Sequence, residues 1–428
     1  MAVDTPAKIA IIGAGPIGLE AALYARYLGY EVEIFEKEHR PAICAYSRKT
    51  RMLTPFGMNR SSLGISALKA QNERIKFPDN DAHLTLEEWH ETYLQPLAKS
   101  DLIDDFVRYN TTVKHIGKVE ITKTDRPSGE YDRGSWDFRL IVDEADKGER
   151  LVTADVVFDC SGVHPAWLGH GGLPALGELR LSERQRTRIH SEAIMLRGEE
   201  TFVPDFFTGS ICVVGDTLTA AQSIAFLGDA VQHNPKMRVT WITRHAADHY
   251  PHGPLEYDPD DPLPERAKVI LAANEFAKSG RITWWPEMWI EKIELTDDEE
   301  SKFGNPLRVS LSGAREETCS FDHIINHNGG VPSHAELSEL VLDHCPRYGA
   351  ARPFADRLWA RKSSLDIEYP GTSPADLITS EPNFYFLGEK SFGRLPGFLY
   401  QHGLRQIRDV FTIIGDRESL DLYARYEQ

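Results

Sequence analysis

Three glycines near the start of the chain, Gly13, Gly15 and Gly18, stand in G-x-G-x-x-G spacing directly behind the apolar run Ile9-Ala10-Ile11-Ile12. A buried strand that turns tightly into a helix needs these residues. Gly13 permits the turn, Gly15 lets backbone approach a pyrophosphate, and Gly18 lets the helix pack on the strand. The helix opened by Pro16 and Ile17 would offer unpaired N–H groups and a positive dipole end to phosphate oxygens. A second apolar run, Val32 to Phe35, ends in Glu36, eighteen positions after Gly18. A carboxylate there accepts hydrogen bonds from both ribose hydroxyls of an adenosine and repels a 2′-phosphate. The site therefore favours FAD or NAD over NADP.

A second set of residues repeats the theme with changes. Ser210-Ile211-Cys212-Val213-Val214 leads into Gly215-Asp216-Thr217-Leu218-Thr219-Ala220. Gly215, Thr219 and Ala220 fit a second nucleotide turn, whereas Thr217 occupies the position of its second glycine. A β-branched side chain there is expected where a pyrophosphate should meet bare backbone. Arg244, at the end of the next apolar run (Val239 to Thr243), has the charge to pair with a 2′-phosphate and so to favour NADPH.

Weaker chemistry is scattered between these motifs. His245, His249 and His252 lie near Asp248 and a run of aspartates, but Pro251 and Pro254 break any helix that would align them as metal ligands. A solvated loop without metal is expected. Trp284, Trp285 and Trp289 read as core or interface before substrate contact. The five cysteines, at 44, 160, 212, 319 and 345, form no C-x-x-C or C-x₄-C pair. Neither a zinc knuckle nor a redox disulfide is expected, and Cys44 and Cys160 read as buried and inert.

These residues need elements to hold them. Thr85 with Glu87 and Glu88 opens an amphipathic helix over 84–97. Alternation over 111–122, 136–142 and 149–152 predicts an antiparallel meander. Asp155 to Asp159 reads as a buried strand ending in Cys160-Ser161-Gly162. A strand at 322–326 closes the second unit, and 345–375 reads as a long Pro-rich loop. Asn383 to Leu387 is a strand ending in Gly388-Glu389, and Gly397-Phe398 opens an amphipathic helix to Ile414. The architecture expected is α/β: two Rossmann-like dinucleotide-binding domains, the second inserted into the first, with a β-meander. The divisions expected are 1–205, 206–334 and 335–428.

With 428 residues and a net charge of −17, a phosphate-backbone partner is excluded and ample core is available. No apolar run approaches a membrane span, and no leader precedes the first strand, so a cytoplasmic protein without membrane attachment is expected. Oligomeric state is not readable.

At these motifs the chain resembles flavoproteins with two dinucleotide-binding domains, a superfamily holding flavin monooxygenases, thioredoxin-reductase-like enzymes and disulfide reductases. Gly13 to Gly18 with Glu36, Lys37 beside it, Gly162, and Gly388-Glu389 resemble its FAD motifs. The resemblance implies that the acid at Glu389 holds the ribityl chain. It implies that the helix start at Gly397-Phe398 faces the N1–C2=O edge of the flavin. Arg51 opens a stretch to Asn59 similar to a loop beside the isoalloxazine. The disulfide-reductase branch lacks its cysteine pair here, and the F-x-G-x-x-x-H element of N-hydroxylating members is absent. The reading is an FAD-dependent oxidoreductase, NAD(P)H-using and monooxygenase-like, acting on a small organic substrate. The alternatives are an oxidase or dehydrogenase taking hydride from its substrate, and a non-catalytic flavin-binding module. His402, Asn59 and Arg394 are the candidate catalytic side chains.

Overall fold

The structure, a computed structural model, describes residues 3–41, 50–126, 132–191, 209–295 and 306–426. Strand β1 (Lys8–Ile12) passes through the glycine turn into helix α1 (Pro16–Leu28) and returns in β2 (Glu31–Phe35). Pro16 starts α1, where a missing N–H costs nothing, and Gly29 ends it in the left-handed region at φ 91°. Helix α2 (Ser62–Gln71) follows, its cap made by Ser61 Oγ accepting from Gly64 N–H. The helix expected over 84–97 runs from Leu86 to Ala98 behind a capping box of Thr85 and Glu88, with a π segment at His90–Leu94. Strand β3 (Val107–Arg108) then precedes the meander of β4 (Thr111–Lys118), β5 (Phe138–Glu144) and β6 (Gly148–Ala154), and β7 (Val156–Asp159) follows.

The chain leaves through β8 (His164–Pro165) and builds a second unit. This comprises β9 (Ile189–His190), β10 (Ser210–Val214), α3 (Leu218–His233), β11 (Arg238–Ile242) and α4 (Pro264–Ser279). It continues with β12 (Thr283–Trp285), β13 (Met288–Leu295), β14 (Leu307–Gly313), β15 (Glu317–Phe321) and β16 (His323–Asn326). It returns through β17 (Gly330–Val331), which pairs antiparallel with β8. Helix α5 (Arg352–Trp359), β18 (Phe384–Phe386) and α6 (Tyr400–Ile414) complete the first unit. Helix α5 and a 3₁₀ turn at Pro374–Leu377 occupy the stretch expected as loop.

Each unit is a five-stranded parallel sheet, ordered β18-β7-β1-β2-β3 in the first and β12-β11-β10-β16-β9 in the second. The strands are apolar on both faces because both faces are covered. Ile9, Ile11, Val156, Phe158 and Tyr385 pack with α1 and α6, while Ala10, Ile12, Val157, Phe384 and Phe386 pack on the meander. The second sheet repeats this. Ile211, Val213 and Ile325 face α3 and α4, and Cys212, Val214 and Ile324 face a second meander of β13, β14 and β15. That second meander was not anticipated from the sequence.

Candidate cofactor and active site

The carboxyl ends of β1, β7 and β18 lie side by side, so three loops far apart in sequence share one edge. Ligands of parallel α/β sheets bind at such an edge. Gly13 is at φ 97°, and a Cβ on it would stand 2.8 Å from the Cys160 carbonyl oxygen. A Cβ on Gly18 would stand 2.0 Å from the Gly13 carbonyl oxygen, so α1 rests on the turn through bare backbone. Ile17 then touches the third loop and the last helix. A Cβ on Gly388 would be 3.3 Å from its Cβ, and one on Gly403 would be 2.3 Å from its Cδ1.

The N-terminus of α1 carries no side-chain cap, with Gly15 as its N-cap and no acid in its first turn. Its leading N–H groups are therefore left for an external acceptor. Glu36 is buried, and its two carboxylate oxygens accept from the N–H groups of Ala14 (2.8 Å) and Glu38 (2.9 Å). Burial pushes its carboxyl up despite these two donors. Each oxygen keeps a second lone pair for a ribose hydroxyl. Lys37 beside it is exposed.

Glu389 carries the clearest sign of a missing partner. It follows Gly388, held at φ 70°, whose N–H donates to Gln406 Oε1 on α6 at 2.9 Å. No described residue hydrogen-bonds or ion-pairs with the Glu389 carboxyl, and desolvation raises its pKa to about 7. The side chain is only partly exposed, in a recess at the sheet edge. A ligand hydroxyl there would supply the donor that the protein withholds. The cradle thus fits FAD: bare N–H groups for the pyrophosphate, Glu36 for the adenosine ribose, Glu389 for the ribityl chain.

Next to Glu389 stands Lys390, which the sequence places beside the last helix without a role of its own. It is fully buried, with Nζ 2.5 Å from Asp159 Oδ2, 3.0 Å from Glu336 Oε1 and 3.0 Å from Ser161 Oγ. The two carboxylates outweigh burial and raise its pKa. Ser161 also donates to Asp159 Oδ1 at 2.6 Å, which fixes the turn to Gly162, at φ 73° with open space beside it. One ammonium therefore ties the β7 and β18 loops together.

At Gly397 (φ 91°) a Cβ would stand 2.8 Å from Arg361 Nη1, so backbone and a guanidinium meet ahead of α6. Arg361 also donates to the Pro396 carbonyl at 3.2 Å, while its Nε is buried without a hydrogen-bond partner. Phe398 packs edge-on against Phe392, ring centroids 5.3 Å apart.

The catalytic candidates are placed otherwise than proton transfer would need. His402 Nδ1 accepts from Leu399 N–H at 3.1 Å, and Nε2 lies 2.8 Å from the Ile367 carbonyl. Burial drops its pKa to about 4, so it is a neutral helix cap with both nitrogens taken. Asn59 Nδ2 donates to Thr54 Oγ1 and the Pro55 carbonyl, both at 2.8 Å, and staples its own turn. Arg394 is exposed. Arg51 is exposed too, and its carbonyl accepts from Gln222 Nε2 of α3 at 3.0 Å, a link between the two units.

In the second unit Gly215 (φ 115°) lies so close to the His327 carbonyl that a Cβ would stand 2.2 Å away. Thr217 stands at the N-cap of α3, at the helix end where a phosphate would meet backbone. Its hydroxyl donates to the His327 carbonyl (3.1 Å) and accepts from Ala220 N–H (3.3 Å), capping α3. The helix end left bare in the first unit is thus partly filled in the second. Thr219 is half-buried and Ala220 buried. Arg244 Nε pairs with Asp216 Oδ2 at 2.9 Å, and His245 Nε2 lies 3.2 Å from the same oxygen. An acid in the phosphate turn therefore already holds the cation expected to take a 2′-phosphate.

The remaining candidates are structural. His245 and His249 stack at 4.1 Å, and no metal-capable cluster occurs among the described residues. Trp284 donates to Thr243 Oγ1, and Trp289 stacks on His170 at 4.1 Å. Burial raises the thiols of Cys160 and Cys212, and that of Cys319 to about 11, so none is a ready thiolate. Cys44 lies outside the described residues. Among them no helix is long and apolar enough to cross a membrane.

Residues 2–55 match the family model "Pyridine nucleotide-disulphide oxidoreductase". The NAD-dependent dihydropyrimidine dehydrogenase subunit PreT of Salmonella typhimurium is 54% identical over 37 residues, 9% of either chain. A bacillithiol disulfide reductase from Bacillus cereus superposes with TM-score 0.64 at 14% identity, over 96% of this chain and 99% of its own. The cadaverine monooxygenase DfoA of Erwinia amylovora, solved with FAD, gives 0.61 at 14%, over 97% and 96%. The family match covers the first nucleotide turn and its surroundings alone, and over the rest of the chain the likeness to these structures, at such identity, is one of fold.

Proposed function

We propose that this protein is an FAD-dependent oxidoreductase that takes electrons from NAD(P)H and acts, monooxygenase-like, on a small organic substrate. The observation that carries the flavin reading is the unpartnered Glu389 carboxyl at the same sheet edge as the uncapped end of α1. Bound FAD would supply reversible two-electron chemistry at its isoalloxazine ring. The chain's part is to bind and orient. Gly13, Gly15 and Gly18 bring backbone to the pyrophosphate, Glu36 and Glu389 accept from hydroxyls, and Lys390 fixes two of the loops. The Arg361 guanidinium beside Gly397 and the positive end of α6 favour negative charge ahead of that helix. The sequence contains no C-x-x-C or C-x₄-C pair for a dithiol relay, which sets the proposal apart from dithiol-based disulfide reduction. The working division is 1–205 and 335–428 for FAD and 206–334 for the nicotinamide nucleotide, although β9 already joins the second sheet at Ile189.

A second reading rests on one feature. The Asp216–Arg244 pair and the Thr217 cap leave the second nucleotide turn less open than the first, as an enzyme drawing hydride from its own substrate would allow. Anaerobic addition of NADPH and then NADH to the purified yellow protein decides. Rapid bleaching of the flavin band supports the first reading. A spectrum unchanged by both nucleotides overturns it.

A further inference from the structure

A cavity of about 870 Å³ opens on the outer face of α6, away from both nucleotide turns. None of the glycines, acids or threonines assigned above to a nucleotide lines it. Its walls come from α2, the loops before and after it, α6 and residues 421–426.

Four cations line this cavity, Arg60, Lys69, Arg405 and Arg408, against one lining acid, Asp421. In a chain of net charge −17 this is a local reversal of sign. Few partners quench it. Arg60 is held by a neutral amide, its Nε and Nη2 donating to Asn80 Oδ1 at 3.2 and 3.1 Å. Lys69 is exposed and has no ion-pair partner among the described residues. Asp409 lies behind the wall, 2.5 Å from Arg408 Nη2 but 3.9 Å from Arg405 Nε. Asp421 is 3.7 Å from Arg408 and also accepts from Ala424 N–H. Among the described residues, Asp421 on the wall and Asp409 behind it thus stand against four cations, and the excess is positive.

The rest of the lining mixes the polar side chains Ser61, Ser62, Ser66, Asn80 and Gln401 with aromatic and aliphatic ones. Phe56 and Phe77 stack with centroids 6.4 Å apart on one side, and Tyr423, whose buried hydroxyl has no hydrogen-bond partner, stands on another. A concavity that offers a few aromatic faces beside convergent polar and charged groups can hold a small amphiphilic molecule. Like charges gathered without counter-charge are self-repulsive, and a bound anion relieves that repulsion.

We propose that this cavity is a second ligand site, for a small anion with an aromatic or alkyl body. The anion is a carboxylate or phosphate ester, met by Arg60, Lys69, Arg405 and Arg408, and the body rests on Phe56, Phe77 and Tyr423. The cavity contains no residue of either nucleotide turn, and it borders the flavin reading only through Phe56 and Gly57 of the 51–59 stretch.

Isothermal titration of the full chain with phenylacetate, phenyl phosphate and neutral phenylacetamide tests it. One anion per chain should bind, with phenylacetamide at least about tenfold weaker than phenylacetate. The double variant Lys69→Glu/Arg405→Glu should weaken both anions at least about tenfold, and Lys69→Glu alone, at an exposed position, about threefold or more. The tighter of the two anions tells carboxylate from phosphate. Equal binding of the amide and the acid would overturn the proposal. So would affinities unchanged by Lys69→Glu, or no binding of either anion.

Discussion

Replacing Glu389 by Gln should change stability and cofactor binding in opposite directions. The wild-type carboxyl ionises near pH 7 in the fold, against an ordinary value of 4.5, because it is desolvated and no donor faces it. Below about pH 4.5 both folded and unfolded chains hold the proton. Between about 4.5 and 7 only the folded chain holds it, so stability falls as pH rises. Above about 7 both are ionised and the full penalty persists. At about 1.4 kcal/mol per pKa unit the shift sets a ceiling near 3 kcal/mol, and partial solvent access reduces it to about 1–3 kcal/mol. Flavin-free Glu389→Gln should therefore be stabler than flavin-free wild type by that amount at pH 8, with the two converging toward pH 4.5. The assay is the urea midpoint of both proteins across this range, followed by tryptophan fluorescence. The same variant loses a charged acceptor, so its FAD affinity should fall by about 1.5–3 kcal/mol, tenfold or more. A flavin-free variant less stable than wild type at pH 8, or one that binds FAD equally well, would refute the reasoning.

Other perturbations test neighbouring parts of the account. Lys390→Met leaves Asp159 buried without its cation and should cost about 3–5 kcal/mol in denaturant titration, whereas adding Asp159→Asn should recover a large part; a single variant as stable as wild type would show that the cluster carries no load. Gly18→Val drives a side chain into the Gly13 carbonyl and should abolish FAD retention while costing at least about 2 kcal/mol, so a fully yellow variant would contradict the close approach. Asp216→Asn releases Arg244 and should lower the KM for NADPH about threefold or more, with Arg244→Ala raising it. If both substitutions move NADH and NADPH alike, Arg244 does not read a 2′-phosphate.

The sequence carried the fold wherever local chemistry sets the structure. Glycine spacing, apolar runs and the Thr85 cap are readable because neighbours in the chain produce them. The final helix begins at Tyr400, close to the expected Phe398, since its apolar face repeats at helical spacing. Helix α4 was missed because its buried positions are few, chiefly Ile270, Ala273 and Ala277, in a polar stretch. Helix α5 was hidden among prolines, one of which, Pro353, lies in its first turn, where proline is tolerated. The site was legible in its backbone parts and not in its ion pairs. Ser161 and Lys390 are 229 positions apart, and only the parallel order β18-β7-β1 brings them together. Thr217 was legible as a side chain in a glycine's place but not as a helix N-cap, the use to which its hydroxyl turns. His402 was read as a candidate base because an imidazole ordinarily titrates near working pH, and burial in the first turn of the last helix removes that property.

The central claim is that the first nucleotide turn holds FAD. Release of the bound chromophore by heat or acid, identified by chromatography and counted against protein, tests it most directly. The account predicts FAD at about one per chain, lost in Gly18→Val. A colourless wild-type protein that fails to take up added FAD, or one that carries FMN instead, would contradict it, since neither leaves a role for Glu36 at an adenosine ribose.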